Sequence, residues 1–141
     1  MKMTRRHLAA LVPALAAAQA QDAKKRTKLP SQCFKYEDMP VKKSGENESR
    51  AIFDGLTHAG TQVDIHMTSL GPGQMPHAAH HHVHEEIVML RSGQLDVTIE
   101  GKTTRVTAGS VVYVNSMEEH GWKNPGPGRA EYFVLATGRE A

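Results

Sequence analysis

Nine histidines occur in a chain of 141 residues, and five of them fall within positions 77–84. Imidazole is the side chain that titrates nearest neutrality and the one that most often ligates metals. The stretch reads His77-Ala78-Ala79-His80-His81-His82-Val83-His84-Glu85-Glu86. On extended backbone, residues i and i+2 point to one face, so His80 and His82 can converge. Glu86 has the same parity at the start of the next strand. His120, which follows a later strand and a short loop, could close the set from a neighbouring strand. Three imidazoles and a carboxylate suit a divalent first-row metal ion: Fe, Mn, Ni, Co, Zn or Cu. Such a centre keeps a net charge of about +1 and could take an anionic or readily deprotonated oxygen ligand. The competing reading of a His-rich run is a solvated loop or a loose metal-sequestering tract. The spacings to Glu86 and His120 weigh against it.

The remaining candidates carry less signal. His81 alternates away from His80 and His82. His84 shares their parity and is a weak catalytic candidate, able to orient a ligand or meet substrate, or else a surface residue in a polar turn. His58, His66 and His77 read as ordinary surface or packed histidines. Tyr113 could donate a proton inside a barrel, although a strand tyrosine is more often core. Trp122 and Phe133 read as packing, and Glu118 and Glu119 as solvated flanks of His120.

Strands must position these groups. Twelve glycines and seven prolines punctuate the chain, which favours many short strands over long helices. Gln62 to Leu70 alternates, with Val63, Ile65 and Met67 on one side and Asp64, His66 and Thr68 on the other. Further runs cover 50–53, 86–90, 95–99, 103–106, 111–114, 121–123 and 131–137. Asp54-Gly55, Gly71-Pro72-Gly73, Ser92-Gly93, Gly101, Ala108-Gly109 and Asn124-Pro125-Gly126-Pro127-Gly128 separate them. Short strands about ten residues apart predict an all-β sandwich or barrel.

At this point the residues resemble a family, the small single-domain cupins. The first cupin motif asks for H-x-H, three or four residues, Glu, six residues and Gly; His80-His81-His82, Glu86 and Gly93 fit. The second asks for Gly, five residues, P-x-G, two residues, His, three residues and Asn. Gly109, Asn115-Ser116-Met117, His120 and Asn124 fit its spacing, and fifteen residues separate Gly93 from Gly109. The resemblance covers roughly 49–138. It implies a single cupin β-barrel, a double-stranded β-helix or jelly roll, with metal ligands at His80, His82, Glu86 and His120. Two departures stand out. Asn115 and Met117 replace the Pro and Gly that shape the turn before His120, and Gln74 stands where the first motif has a leading Gly.

The chain ends differ in character from this domain. Residues 1–20 combine Lys2, Arg5 and Arg6 with an apolar run from Leu8 to Ala18 and an Ala-Gln-Ala cleavage pattern. That is the anatomy of a signal peptide, and Thr4-Arg5-Arg6-His7-Leu8 resembles a twin-arginine export signal. A periplasmic or secreted bacterial protein is expected, with no membrane attachment once the signal is removed. Residues 21–48 read as an irregular N-terminal arm and 49–138 as the barrel. Without residues 1–20, fourteen Lys+Arg face fifteen Asp+Glu, so no nucleic-acid footprint remains. Cys33, the one cysteine, permits no internal disulfide.

The expected function is that of a metal-dependent enzyme, oxygenase-like (a dioxygenase, hence an oxidoreductase) or isomerase-like, acting on a small polar or phenolic molecule. The alternative is a non-catalytic module that captures a metal or small ligand. The expected partners are that small molecule and a second copy, a homodimer paired through residues 29–53.

Overall fold

A computed structural model describes residues 26–141; the expected signal peptide at 1–20 and the start of the arm lie outside the described residues. Nine strands are present among them: β1 (Lys42–Ser44), β2 (Asn47–Leu56), β3 (Gln62–Leu70), β4 (Glu85–Ser92), β5 (Gln94–Ile99), β6 (Lys102–Thr107), β7 (Val111–Val114), β8 (His120–Lys123) and β9 (Ala130–Thr137). A 3-10 turn at Tyr36–Asp38 is the only helical element among these residues. No helix there is long and apolar enough to cross a membrane. The strands form two antiparallel sheets, one ordered β1-β2-β3-β9-β4-β7 and the other β6-β5-β8. The all-β expectation holds.

Alternation explains why the sheets face each other. In β4, Glu86, Val88 and Leu90 are buried while Glu85, Ile87 and Met89 are half-covered and Arg91 is exposed; in β9 the buried set is Ala130, Tyr132, Val134 and Ala136. Leu95 and Val97 of β5 and Trp122 of β8 meet them from the second sheet, and Leu70 of β3 completes one cluster. Each such side chain, taken fully out of water, stabilises the fold by about 1.5–3 kcal/mol. The core is modest, as the chain length requires.

The chain departs from the sequence expectation in the arm. β1 and the start of β2 lie within the stretch 21–48 that was read as irregular. Ser44 pairs with Asn47 across a two-residue turn at Gly45-Glu46, and Gly45 holds φ +58, a conformation glycine adopts without strain. All three β1 residues are exposed, so this edge strand has no apolar face to announce itself. The arm before it packs on the outside of the barrel. The Phe34 ring lies 5.5 Å from that of Phe53, and Phe53 shares a face with Ile65 and Leu135 through direct cross-strand pairing. Thus the apolar set of β3 is the outer one, and its polar set faces inward.

Candidate metal centre and adjoining cavity

Pairing register places the functional side chains. Asp64, Ala136 and Glu86 form one row across β3, β9 and β4; His66, Val134 and Val88 form the next; Thr68, Tyr132 and Leu90 the one after. Directly paired residues point to one face, so all three rows look into the barrel. The turn from β4 to β5 is fixed at Gly93, with φ +77. A Cβ there would collide with the Arg129 carbonyl oxygen, so only glycine fits.

The histidine run is not a continuous strand. His80 makes a lone antiparallel bridge with His120, each backbone N–H donating to the other's carbonyl at 3.0 and 2.9 Å. Residues 81–84 are irregular, and Met117 N–H donates to the His82 carbonyl at 2.8 Å. Met117 therefore keeps the turn closed although it replaces the motif's glycine. It does so at φ +64, a left-handed conformation that is costly for a side-chain-bearing residue.

These contacts gather His80, His82 and His120. Their ring centroids lie 5.1, 4.8 and 4.7 Å apart, and their ligating atoms all fall within 4.8 Å of one another. A second triad, His82, His84 and Glu86, meets the same criterion and shares His82. Glu86 joins the two: its Oε2 lies 3.3 Å from His120 Nε2, and its Oε1 lies 3.4 Å from His82 Nε2 and 3.6 Å from His84 Nε2. His80, His82 and His120 are brought together and Glu86 reaches His82 and His120, while His84 is added beside them, stacked on His82 with centroids 3.6 Å apart. His81 is exposed and apart, as its parity implied.

Tautomers follow from the partners. His120 Nδ1 sits 2.8 Å from the Glu118 carbonyl and His82 Nδ1 2.9 Å from the His84 carbonyl. A carbonyl only accepts, so each Nδ1 carries the hydrogen and each Nε2 presents a lone pair. His120 Nε2, His82 Nε2 and Glu86 Oε2 are buried and have no hydrogen-bond partner. Two acceptors, His120 Nε2 and Glu86 Oε2, thus face each other at 3.3 Å with nothing to donate between them. A positive charge reconciles that arrangement, either a metal ion between the two or a proton that makes them an imidazolium–carboxylate pair. Burial, followed by the nearby histidines His77, His120 and His82, lowers the His80 pKa against a smaller opposing effect of Glu86. Burial and then His82 lower that of His84. Both rings are therefore neutral at pH 7, the form that ligates metal. The donor set fits a divalent first-row ion.

Beside this cluster lies a cavity of about 420 Å³, with Glu86 in its wall. Asp64, His66, Thr68, Trp122 and Tyr132 also line it. Sequence reasoning missed most of these: His66 was read as ordinary and Trp122 as packing alone. The signal was the alternation of β3 itself, whose polar set shares parity with Leu70. Tyr113, considered as a donor inside the barrel, is instead 58% exposed on β7, whereas Tyr132 is 1% exposed and faces the cavity. Burial pushes the Tyr132 phenol up to about 12, which keeps it a proton donor throughout the physiological range.

A twisted double sheet with a His/Glu cluster between its two motif regions defines a class. The family model described as "Cupin domain" matches residues 66–136, just over half of the chain, and the chain belongs to that family. No curated protein matches it. Among solved structures, an RmlC-like cupin from Shewanella frigidimarina is 19% identical, with TM-score 0.64, covering 78% of this chain and 95% of its own. A predicted oxalate decarboxylase from Thermotoga maritima is 18% identical, with TM-score 0.66, covering 76% and 99%. A polyketide cyclase from Streptomyces resistomycificus is 16% identical, with TM-score 0.64, covering 77% and 80%. These likenesses establish the fold.

Proposed function

We propose that the protein is a metal-dependent cupin enzyme, oxygenase-like or isomerase-like, that acts on a small polar or phenolic molecule held in the barrel. The observation that carries this reading is the convergence of three imidazoles and the Glu86 carboxylate, with His82 Nε2, His120 Nε2 and Glu86 Oε2 buried and without hydrogen-bond partners, beside a cavity. His80, His82, Glu86 and His120 would hold the ion. Bound there, a divalent metal supplies Lewis acidity to a substrate oxygen and, if it is iron, access to dioxygen.

The chain's own residues do the rest. The carbonyls of Glu118 and His84 fix the two imidazole tautomers. Glu86 offers its carboxylate to both the cluster and the cavity. His84, whose pKa burial lowers and whose Nε2 stands 3.6 Å from Glu86 Oε1, is the residue we assign to take a proton from a substrate near Glu86. The enzyme names carried by two structural neighbours, a decarboxylase and a cyclase, support a catalytic over a passive reading.

The test is elemental analysis of protein purified without chelators and loaded with one defined metal at a time. Oxygen uptake and product formation are then followed against small phenols and keto acids. Failure to retain near-stoichiometric metal overturns the reading. Metal retained without turnover on any compound leaves the non-catalytic binding module in its place. We extend the proposal to a homodimer formed through residues 29–53, where Phe34, Tyr36 and Val41 are exposed; light scattering that shows a monomer removes that part.

A further inference from the structure

The inward face of β3 carries a histidine–carboxylate pair that the metal centre does not use. Asp64 Oδ1 lies 3.2 Å from His66 Nδ1, and both residues line the cavity whose wall also holds Glu86. Neither is sealed, since the side chains of His66 and Asp64 are 37% and 34% exposed. A carboxylate only accepts, so Nδ1 carries the hydrogen and Nε2 of the neutral ring presents its lone pair. His66 Nε2 makes no hydrogen bond to the protein, and unlike His82 Nε2 and His120 Nε2 it is not closed off from solvent.

The neighbouring strands leave the pair to itself. His66 stands opposite Ala51 on β2 and Val134 on β9, so no charged group shares its row on either side. Asp64 stands opposite Asp54 on β2, and Arg26 holds Asp54 at 2.6 Å. The other charged groups on the lining are Lys42, Glu48, His77 and Glu86; Lys43 and Arg50 already match Glu48 at 3.7 Å.

We propose that Asp64 and His66 form a second polar site in the cavity. There His66 Nε2 accepts the hydrogen of a substrate hydroxyl, while another oxygen of the same molecule meets the metal centre. Asp64 is the positioning residue that fixes the tautomer of the ring. This deepens the reading above and rests on it.

The surroundings narrow the ligand. A carboxylate at this end would meet Asp64, a like charge, and would bring no hydrogen for Nε2. A carbonyl or ether oxygen brings none either. A hydroxyl fits. Asp64, Ala136 and Glu86 form one row across three adjacent strands, so the backbones of β3 and β4 are about 10 Å apart there. Side chains reach in from both, and a single six-membered ring or a short carbon chain bridges what they leave. The substrate class is a small diphenol or diol with its two hydroxyls on different sides of the molecule. A nitrogen that accepts such a hydrogen also meets the first, geometric requirement of a general base.

Calorimetric titration of the metal-loaded full chain at pH 7 tests this with two probes, resorcinol and its monomethyl ether. Both carry a phenol hydroxyl and a second oxygen at the same ring position, but only resorcinol has a second hydrogen to give. Wild-type protein should bind resorcinol about tenfold more tightly, the worth of one well-placed hydrogen bond. His66→Phe should bring the two probes to within about threefold of each other. Asp64→Asn should do the same by another route: its amide donates to Nδ1, the ring hydrogen moves to Nε2, and the lone pair is lost. Ring nitrogen chemical shifts of histidine-labelled protein read that tautomer directly, with the hydrogen on Nδ1 in wild type and on Nε2 in Asp64→Asn. Circular dichroism and metal content establish that both variants remain folded and loaded. Equal binding of the two probes by wild type, a preference that survives either substitution, or a wild-type ring with its hydrogen on Nε2 overturns the site. Absence of binding by either probe overturns it too. A wild-type chain that takes up no metal overturns the proposed function, and this inference with it, before any probe is added; a loaded chain without the preference overturns this inference alone.

Discussion

Asn124, the last residue of the second motif, is fully buried and ties three segments together. Its Nδ2 donates toward the carbonyls of Leu70, Gly71 and Gly128 at 3.0, 3.0 and 2.8 Å, and its Oδ1 accepts from Gly126 N–H at 2.9 Å. The pattern fixes the amide orientation, since three carbonyls can only accept. An NH2 group has two hydrogens, so one of them is shared between two acceptors. Asn124→Ala strands these groups in the interior. At about 1 kcal/mol for each of three to four bonds, the loss is about 3–4 kcal/mol, a large part of a domain stability of roughly 5–15 kcal/mol. Asn124→Asp has the same shape and retains the bond from Gly126 N–H, yet it is predicted to be no better than alanine at pH 7. A carboxylate oxygen would replace the NH2 group among three carbonyl oxygens, and its folded-state pKa would rise above the unfolded value of about 3.9. The aspartate variant should therefore recover stability as pH falls, the opposite of the usual acid loss. Urea unfolding followed by circular dichroism at pH 7 and pH 5 measures both. An Asn124→Asp variant within about 1 kcal/mol of wild type at pH 7 would refute this account of the Asn124 node.

Three other substitutions or conditions follow from the structure. Met117→Gly should raise stability by about 0.5–1 kcal/mol. Relief of the left-handed strain, about 1–2 kcal/mol, exceeds the entropy glycine brings to the unfolded chain, and Met117 is 56% exposed, so little packing is lost; a thermal melt checks it. Adding a bound divalent ion at 100 times its Kd to chelator-treated protein should stabilise it by about 2.7 kcal/mol. His120→Ala should abolish that gain, as read by the ion-dependent change in Tm. The Tyr132 phenol stays protonated in the fold up to about 12, against about 10 unfolded. The stabilisation linked to this neutral form is complete below pH 10 and is lost as pH rises from 10 through about 12, amounting to roughly 2–3 kcal/mol. Tyr132→Phe should flatten the fall in urea-derived stability over that window.

Much of the fold is written locally. β3, β4, β5 and β9 carry period-two alternation and end in glycine turns, which makes them readable without coordinates. β1 is not readable, because an exposed edge strand of Lys42, Lys43 and Ser44 has no inner face. Which face of β3 points inward is unreadable for a similar reason. Its apolar residues cover an outer face roofed by Phe34 and the arm, and its polar residues furnish the cavity, so hydrophobicity points the wrong way. The cluster was legible because residue type and spacing act together at His80, His82, Glu86 and His120. The place of Trp122 and Tyr132 in the cavity wall was not, because in sequence an aromatic on a strand looks the same whether it faces a neighbour or an open space. The Tyr113 expectation erred for that reason too, since parity along a four-residue edge strand does not say which side is covered.

The bridge between His80 and His120 also sets an order of events. Three of the four proposed ligands, His80, His82 and Glu86, lie close together in sequence, within a tract that offers several nearly equivalent imidazoles and little geometric choice. The fourth arrives only after β5, β6 and β7 have been laid down and β8 has docked. If the cluster holds an ion as proposed, selectivity among competing ions would be a property of the finished barrel and not of the nascent chain, and the compartment in which folding ends would be the one whose metal pool decides what the centre holds.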